Sequence, residues 1–174
     1  PATADDANPL FCSLATTLDD SLHTGWGFEV SNTGRLRFRC YSSGWHIQID
    51  AVDKLSRHQW HHLVATIDGY NEKVSLYDNG RLIGQTRCMY DISIGVKPLL
   101  LGKSEKDILD GMFPMNYING IIDEIRVDTG LWNAQRIAED VIPQHAVDMS
   151  VPIEAYAGDI CRPRYHGMPS QCWT

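Results

Sequence analysis

Long apolar runs and an excess of basic residues are both missing from this sequence of 174 residues. No apolar stretch approaches the roughly 18 residues that a membrane-spanning helix requires, so no membrane partner is predicted. Acidic residues outnumber basic ones by 22 to 15, which gives a net charge of −7. Nucleic acid is therefore not an expected partner, because phosphate binding favours a basic surface. The opening residues also lack the basic and apolar regions of a secretory signal peptide.

Paired cysteine motifs and the common catalytic motifs are missing as well. The five cysteines are an odd number and include no CxxC pair, so neither a zinc site nor a complete disulfide framework is predicted. Cys12 and Cys40 lie among residues with the pattern of buried strands, and we interpret them as small buried hydrophobic residues. The sequence also contains no GxSxG, P-loop or HExxH pattern, which gives no support to the enzyme classes that those motifs mark.

The sequence does contain many short strand signals separated by turn residues. Alternation of apolar and polar residues is strict at 35–40 and 45–50, which places the apolar side chains on one face and the polar ones on the other. Asn79-Gly80, between two apolar segments, predicts a tight hairpin. Strands are predicted at 11–14, 25–30, 35–40, 45–50, 60–68, 73–77, 81–84, 98–102 and 121–127.

A single short helix is predicted at 133–140, with Asn133 able to cap its first turn. The intervals between the strands are too short for the crossover helices of a parallel α/β sheet. Many short strands with one short helix near the C-terminal end therefore favour an all-β fold, an antiparallel β-sandwich.

Several segments resemble the laminin-G-like domains of the concanavalin superfamily. In that family a tryptophan and one or two histidines precede a strand and an Asp-Gly pair, as they do at 60–69 here. The next strand then ends in a Tyr-x-(Asp/Asn)-Gly pattern, which residues 77–80 match. The segments 119–127 and 131–133 are similar to the family's closing strand and helix entry. The resemblance implies a concanavalin-like jelly-roll sandwich over residues 1–145, in which one or two of the family's first strands are missing.

The tail resembles another family. The run Arg162-Pro163-Arg164-Tyr165-His166-Gly167-Met168-Pro169 is similar to the opening of the fructan-hydrolysing glycosidases, the relatives of invertase, inulinase and levanase. In that family the segment leads to the nucleophilic carboxylate, which this sequence does not reach, and cleavage of a glycosidic bond needs two carboxyl groups. The resemblance implies that residues 161–174 begin a truncated glycosidase domain, that 146–160 form a linker, and that the sandwich before them is an accessory module.

The candidate binding surface is the polar face of the strands at 26–30, 35–40 and 45–50. If these strands are neighbours, their charged side chains share one side of a sheet. Carboxylates and guanidinium groups can bind vicinal sugar hydroxyls, and an aromatic ring can stack on the apolar face of a sugar. A solvated sheet face with cross-strand ion pairs is the alternative for the same residues. The predicted ligand-binding residues are Glu29, Arg35, Arg37, Tyr41, Trp45, His46 and Tyr117, and the same polar face includes Arg39, Gln48 and Asp50.

Metal ligands are not assigned by the sequence. His61 and His62 are adjacent on a predicted strand, so they point to opposite faces and cannot hold one metal together. Asp123 shares a strand face with apolar residues and is interpreted as a buried, hydrogen-bonded structural carboxylate. No cofactor is required, although a structural calcium ion can bind the acidic loop that contains Glu105, Asp107 and Asp110, or the pair Asp19-Asp20.

The sequence leaves three functions open. The first is a carbohydrate-binding accessory module, which the resemblance directs to fructan of the levan or inulin type and which serves an attached glycoside hydrolase. The second is an interaction domain that packs on its own catalytic domain and binds no sugar. The third is a fragment of the hydrolase itself. This chain is not expected to be an enzyme, since it lacks the Glu-x-Asp-x-x-Glu spacing of some concanavalin-fold glycosidases. The expected location is outside a bacterial cell or on its surface.

Overall fold

The computed structural model describes residues 10–103, 109–110, 113–114, 118 and 120–141. Within these ranges the chain forms ten strands and one helix. Antiparallel pairing joins the strands into one sheet of order β4-β3-β2-β1-β8, another of order β5-β6-β7, and the pair β9-β10. The elements are β1 (Phe11–Thr16), β2 (Trp26–Ser31), β3 (Arg35–Ser42), β4 (Trp45–Lys54), β5 (Leu63–Asp68), β6 (Lys73–Asp78), β7 (Arg81–Arg87), β8 (Leu100–Leu101), β9 (Leu109–Asp110), β10 (Phe113–Pro114) and α1 (Ala134–Glu139).

Strict alternation in β3 gives the five-stranded sheet one apolar face and one polar face. Leu36, Phe38 and Cys40 are buried, whereas Arg37 and Arg39 between them remain partly exposed. Side chains alternate across a strand, so the three apolar residues point together toward the interior. The alternation predicted for this segment is confirmed.

The apolar face of this sheet and the three-stranded sheet share one core. Phe38 lies opposite Phe28 of β2 and Ile49 of β4 in the strand register. Phe38 and Ile49 belong to one buried cluster with Val74 and Leu76 of β6, and Phe28 packs against that cluster. Two antiparallel sheets around a common apolar core form a sandwich. The predicted all-β antiparallel β-sandwich is therefore confirmed.

Strand β7 approaches β4 closely at Gly84. A Cβ atom placed on Gly84 would lie 2.3 Å from Cγ2 of Ile49, so any side chain there would force Ile49 out of its position in the core. Glycine within a strand often marks such a close approach between neighbouring parts of the backbone. Glycine at position 84 therefore allows β7 to pack closely against Ile49 of β4.

The predicted hairpin turn and helix cap are both confirmed. Asn79 and Gly80, between β6 and β7, have φ values of +50° and +76°, as a tight hairpin of this type requires. The side-chain oxygen of Asn79 also accepts a hydrogen bond from the backbone N–H of His62 at 2.9 Å. At the start of α1 the side chain of Asn133 accepts a hydrogen bond from the backbone N–H of Arg136 at 2.8 Å.

The predicted strand at 121–127 is wrong. The described backbone forms no strand there, and Glu124 has a φ of +49°, which interrupts an extended conformation. Ile121 and Val127 are 75% and 68% exposed. Asp123, which we expected to be buried, is exposed and accepts a hydrogen bond from the backbone N–H of Glu124 at 2.9 Å. An alternating pattern indicates a two-faced strand, but it does not supply the neighbouring strand whose hydrogen bonds extended backbone needs.

The other predicted strands differ from the structure only in their bounds, whereas β9 and β10 were not predicted. β5 begins at Leu63 rather than at residue 60, and the strand predicted at 98–102 is limited to Leu100–Leu101. Strands β3, β4 and β7 extend beyond the residues predicted for them, by two to four residues at their C-terminal ends. Hydrogen-bonded pairing decides where a strand ends, and the alternation of side chains does not report it.

The domain limits predicted beyond the sandwich are not tested by the structure. Residues 146–160, interpreted as a linker, and residues 161–174, interpreted as the start of a glycosidase domain, lie outside the described residues. Among the residues that are described, no helix is long and apolar enough to cross a membrane.

Candidate functional site

The polar face of the five-stranded sheet carries the candidate site and is called the outer face below. Its rows follow the strand register, in which Glu29 lies opposite Arg37 and Arg37 lies opposite Asp50. The next rows pair Arg39 with Gln48 and Tyr41 with His46. The structure thus brings most of the predicted polar residues to one surface. The outer face consists of Glu29, Arg37, Arg39, Tyr41, His46, Gln48 and Asp50.

Glu29 and Arg39 form a bidentate ion pair near the middle of the outer face. The Nη2 atom of Arg39 donates to Oε1 of Glu29 at 2.7 Å, and its Nε atom donates to Oε2 at 3.0 Å. Glu29 is only 6% exposed. Burial lowers the pKa of Arg39, but the hydrogen bonds and charge of Glu29 outweigh that effect, and the pKa lies above its usual value. Both oxygens of the Glu29 carboxylate are therefore occupied by the protein itself.

Arg37 is held in a second ion pair, beside the first. Its Nε atom donates to Oδ1 of Asp50 at 2.6 Å, and the other oxygen of Asp50 accepts from Nε2 of Gln48 at 2.6 Å. The guanidinium group also lies 3.6 Å from the centre of the Phe11 ring, a cation–π geometry. The cross-strand ion pairs that were the alternative for this face are present, and a ligand must compete with them.

Three aromatic rings follow one another at the end of the outer face nearest the β3–β4 hairpin. The centroid of the Tyr41 ring lies 5.4 Å from that of His23 and 5.5 Å from that of His46. Burial, followed by the positive charge of Arg39, holds the pKa of His46 below its usual value, which favours the neutral ring at neutral pH. Tyr41 is only 6% exposed, whereas His23 and His46 are exposed, so these two imidazole rings are the flat surfaces of the group that a sugar ring can contact.

Asp20 joins these rings to the charged part of the face. Its Oδ1 atom accepts a hydrogen bond from the Tyr41 hydroxyl at 2.9 Å and lies 3.5 Å from Nη1 of Arg39. Its side chain stays 42% exposed. Burial and the hydrogen bond to Asp20 raise the pKa of Tyr41, so its hydroxyl remains a donor. We call Asp20, His23, Arg39, Tyr41 and His46 the hairpin-end cluster.

Arg35 and Trp45, two further predicted site residues, are not part of this cluster. Arg35 is six residues before Tyr41 on β3, a separation of about 20 Å in a strand, so one monosaccharide cannot contact both. Trp45 is 68% exposed at the start of β4, but alternation places it on the side of Ile47 rather than that of His46. It therefore lies at the edge of the sheet and not on the outer face. Tyr117 lies outside the described residues.

Asp20 and His23 were missed as binding residues by the sequence analysis. Both belong to the connection between β1 and β2, where no alternation indicates a direction for side chains. The pair Asp19-Asp20 was noticed only as a possible calcium ligand. In the structure these carboxylates contact cationic side chains instead, Asp19 with Lys97 at 3.4 Å and Asp20 with Arg39.

Metal binding receives no further support from the described residues. Within them, no group of three or more His, Cys, Asp or Glu side chains is placed to hold an ion. Glu105 and Asp107, the main part of the predicted calcium loop, lie outside the described residues, so that prediction stays untested. His61 contacts Asp78 through Nδ1 at 2.9 Å, whereas His62 contacts Asp140 at 3.5 Å. The two histidines thus have separate partners, and both lie before the first residue of β5.

Asp19 anchors the loop that presents Asp20 and His23. Its carboxylate accepts hydrogen bonds from the hydroxyl of Ser21 at 2.5 Å and from the backbone N–H groups of Ser21 and Leu22 at 3.0 and 3.2 Å. The hydrogen bond from the Ser21 hydroxyl is the main cause that lowers the pKa of Asp19 from 3.8 to about 2. The ionised carboxylate is therefore the form that holds this loop in place.

Replacement of Asp19 by asparagine is expected to remove part of the acid sensitivity of folding. A carboxyl group whose pKa is about 2 when folded and 3.8 otherwise stabilises the fold above about pH 4 and loses that effect as pH falls toward 2. Melting temperatures recorded across this range should therefore fall less steeply for Asp19→Asn than for the original protein. Asp53→Asn, at an exposed carboxylate, is the matched control and should follow the original curve. Identical slopes for all three proteins would contradict the assigned role of Asp19.

A concave region lies at the other end of β4, next to the β6–β7 hairpin. It has a volume of about 550 Å³ and contains Val52, Asp53 and Arg81. Its described lining has no aromatic ring, and Asp53 and Arg81 contact each other at 3.8 Å. This groove therefore lacks a surface on which a sugar ring can stack, and the hairpin-end cluster is the better candidate.

Comparisons with known proteins bear on the fold. A sequence model for the family described as the concanavalin A-like lectin/glucanases superfamily, of laminin-G type, matches residues 1–138. The structure is similar to that of an S-layer domain-containing protein from Clostridium thermocellum, with a TM-score of 0.39 and 20% sequence identity over 80% of this chain. The chain spans 65% of the length of that solved structure. A search of curated proteins finds no match.

Proposed function

Because this chain belongs to the concanavalin A-like lectin/glucanase superfamily, we propose that it is a carbohydrate-binding module without catalytic activity of its own. Domains of this fold often bind carbohydrate, but a fold alone does not assign a ligand. The proposal therefore depends on the chemistry of the outer face. Its single supporting observation is the hairpin-end cluster, where an exposed carboxylate lies directly beside aromatic rings.

The cluster combines the two kinds of contact that a sugar requires. The exposed side chain of Asp20 can accept hydrogen bonds from vicinal hydroxyls, and the ring of His46 is exposed for stacking. Arg39 already holds Asp20 and Glu29, so it orients the carboxylates instead of meeting the ligand directly. Because only a few groups remain available, we expect binding in the millimolar to micromolar range.

The lack of catalysis in this proposal follows from the state of the carboxylates. A glycosidase needs one carboxyl group as an acid and another as a nucleophile or base. On the outer face Glu29 is occupied on both oxygens by Arg39, and Asp50 is shared by Arg37 and Gln48. Neither carboxylate is arranged to take up or release a proton at a sugar.

Fructan of the levan or inulin type is the ligand that we propose, with an attached glycoside hydrolase as the partner. Support for both comes from the tail at 162–169, which resembles the opening of fructan-hydrolysing enzymes. A module that holds the polymer near a tethered active site raises the local concentration of substrate. Such a protein is expected to work outside a bacterial cell or on its surface, where the polymer is found.

An interaction domain without sugar binding is the second candidate, and one observation favours it. Several large apolar side chains on the described surface are exposed, among them Ile94, Val96, Ile121 and Val127. Exposed apolar residues can mark a surface that another domain covers. This candidate predicts a folded protein that binds no carbohydrate.

Isothermal titration calorimetry against levan, inulin and short fructo-oligosaccharides tests the proposal, with cello-oligosaccharides as the control sugar. We expect saturable heat with the fructans, and the same heat in calcium and in a chelator, because no cofactor is required. Asp20→Asn should weaken binding about tenfold through the loss of a charged acceptor, while it can still accept from Tyr41. The matched control, Asp53→Asn, lies outside the cluster and should bind normally.

Three outcomes would count against the proposal, each at a different level. No heat with any sugar from folded protein would favour the interaction domain. Equal binding of cello-oligosaccharides would remove the preference for fructan. Normal binding by Asp20→Asn would place the site elsewhere on the protein.

A further inference from the structure

Two buried thiols from different parts of the sandwich lie in the same apolar core. Cys40 lies on β3 and Cys88 directly follows β7 in the chain, and they are 0% and 2% exposed. Among the described residues, both belong to the cluster of buried side chains that joins the two sheets. Both are free thiols in this structure. Nothing in the proposed binding function uses either of them.

Backbone and side-chain hydrogen bonds fix the segment after β7 against the end of β3. The Ser42 hydroxyl donates to the carbonyl oxygen of Tyr90 at 2.7 Å, and the Cys88 thiol donates to the same oxygen at 3.1 Å. The backbone N–H of Ser93 donates to the carbonyl of Tyr41 at 2.8 Å. Cys88 is thus held beside a residue that contacts Ser42, two positions from Cys40 on the same strand.

We propose that Cys40 and Cys88 are the site of an inter-sheet disulfide, formed when the protein folds in the presence of an oxidising disulfide such as oxidised glutathione. Cys12 lies two strands away from β3, on β1, and is not expected to take part. The proposal is independent of the sugar ligand, since the pair lies in the core and not on the outer face.

The surroundings of the two thiols decide which of them reacts first. Burial is the main cause that raises the pKa of the Cys40 thiol to about 12, and the charge of Cys88 contributes to the rise. Cys40 therefore offers little thiolate at neutral pH. Cys88 lies outside a strand, in a segment that can open more readily than β3, so it is the thiol that reacts first.

The reaction consists of two thiol–disulfide exchanges. The Cys88 thiolate attacks oxidised glutathione, which forms a mixed disulfide and releases one glutathione thiolate. The Cys40 thiolate then attacks the Cys88 sulfur atom and releases the second. The two protein thiols lose two electrons and two protons, and one molecule of oxidised glutathione becomes two of reduced glutathione.

Refolding of the full chain in a glutathione buffer tests this proposal. The chain carries Cys161→Ser and Cys172→Ser, so that only the three described cysteines can react. We expect the intact mass to fall by the two hydrogens that oxidation removes, and digestion without reductant to yield the Cys40 and Cys88 peptides joined. Reduction should lower the melting temperature by about 10 °C, because a disulfide across a long loop restricts the unfolded chain.

Matched alanine variants separate the proposed pair from the remaining cysteine. Cys88→Ala should abolish both the change in mass and the effect of reductant on melting, whereas Cys12→Ala should retain both. Either of two results would overturn the proposal: a refolded chain with the mass of the reduced protein, or a linked peptide that contains Cys12.

Discussion

Replacement of Phe38 by alanine is expected to lower the free energy of unfolding by about 4 kcal/mol, through lost burial and the cavity that remains. Phe38 is almost completely buried on β3, a strand that is paired on both sides. Its ring contacts that of Phe28 edge-on, with centroids 5.0 Å apart. Since Ile49 lies opposite it on the other neighbouring strand, the gap would open in the middle of the core. Urea denaturation followed by fluorescence measures the loss.

Val52→Ala is the matched control for this experiment. Val52 lies on β4, but it is one of the most exposed apolar side chains of the described surface. Its truncation should change the free energy of unfolding by no more than about 0.5 kcal/mol. If the two substitutions had similar effects, the core described for this sandwich would be wrong.

Glu29→Ala is expected to lower the free energy of unfolding by about 3 kcal/mol, the second large effect. The substitution removes a buried carboxylate and leaves the guanidinium group of Arg39 without the carboxylate that accepts two of its hydrogen bonds. Loss of one member of a buried ion pair typically costs 3 to 5 kcal/mol, and we take the lower end because the Arg39 side chain is about one-fifth exposed. Urea denaturation at neutral pH again supplies the measurement.

A second substitution distinguishes a lost partner from lost packing. Adding Arg39→Met to Glu29→Ala removes the unpaired charge, so the double variant should be more stable than Glu29→Ala alone. Asp53→Ala, in the exposed pair with Arg81, is the surface control and should cost less than about 1 kcal/mol. A double variant less stable than the single one would show that the charge of Arg39 is not the cause.

The parts of the fold that could be predicted from sequence are those that local chemistry determines. The two faces of β3 follow from a period of two residues, which needs no knowledge of the neighbouring strands. The turn at Asn79-Gly80 and the cap at Asn133 likewise depend on residues within three positions of each other. Each of these predictions is confirmed.

The partners within the candidate site could not be predicted, because they depend on contacts between distant residues. In the register Glu29 lies opposite Arg37, yet its carboxylate binds Arg39, the diagonal neighbour. That choice follows from side-chain conformations, which the alternation of residues does not contain. Asp20 reaches Tyr41 across 21 positions of the chain, from a loop without a periodic pattern.

The contacts between distant residues also decide which of the predicted binding residues remain available to a ligand. Glu29 and Arg37 share the correct face, but their charged groups are hydrogen-bonded to Arg39 and Asp50. His46 is the predicted residue whose ring is exposed within the cluster. Sequence patterns can place a residue on a surface, whereas availability for a ligand depends on what its neighbours have already bound.

The position of β4 and β7 has a consequence for the behaviour of the protein at high concentration. In the described part of the chain, each strand pairs on one side only, β4 with β3 and β7 with β6. Such open edges can recruit the strands of other molecules and start aggregation. Here the C-terminal end of β4 and both ends of β7 carry charged side chains, at Asp53, Lys54, Arg81 and Arg87. An added strand from another molecule would have to desolvate these charged side chains. The cost of that desolvation therefore opposes self-association at these edges.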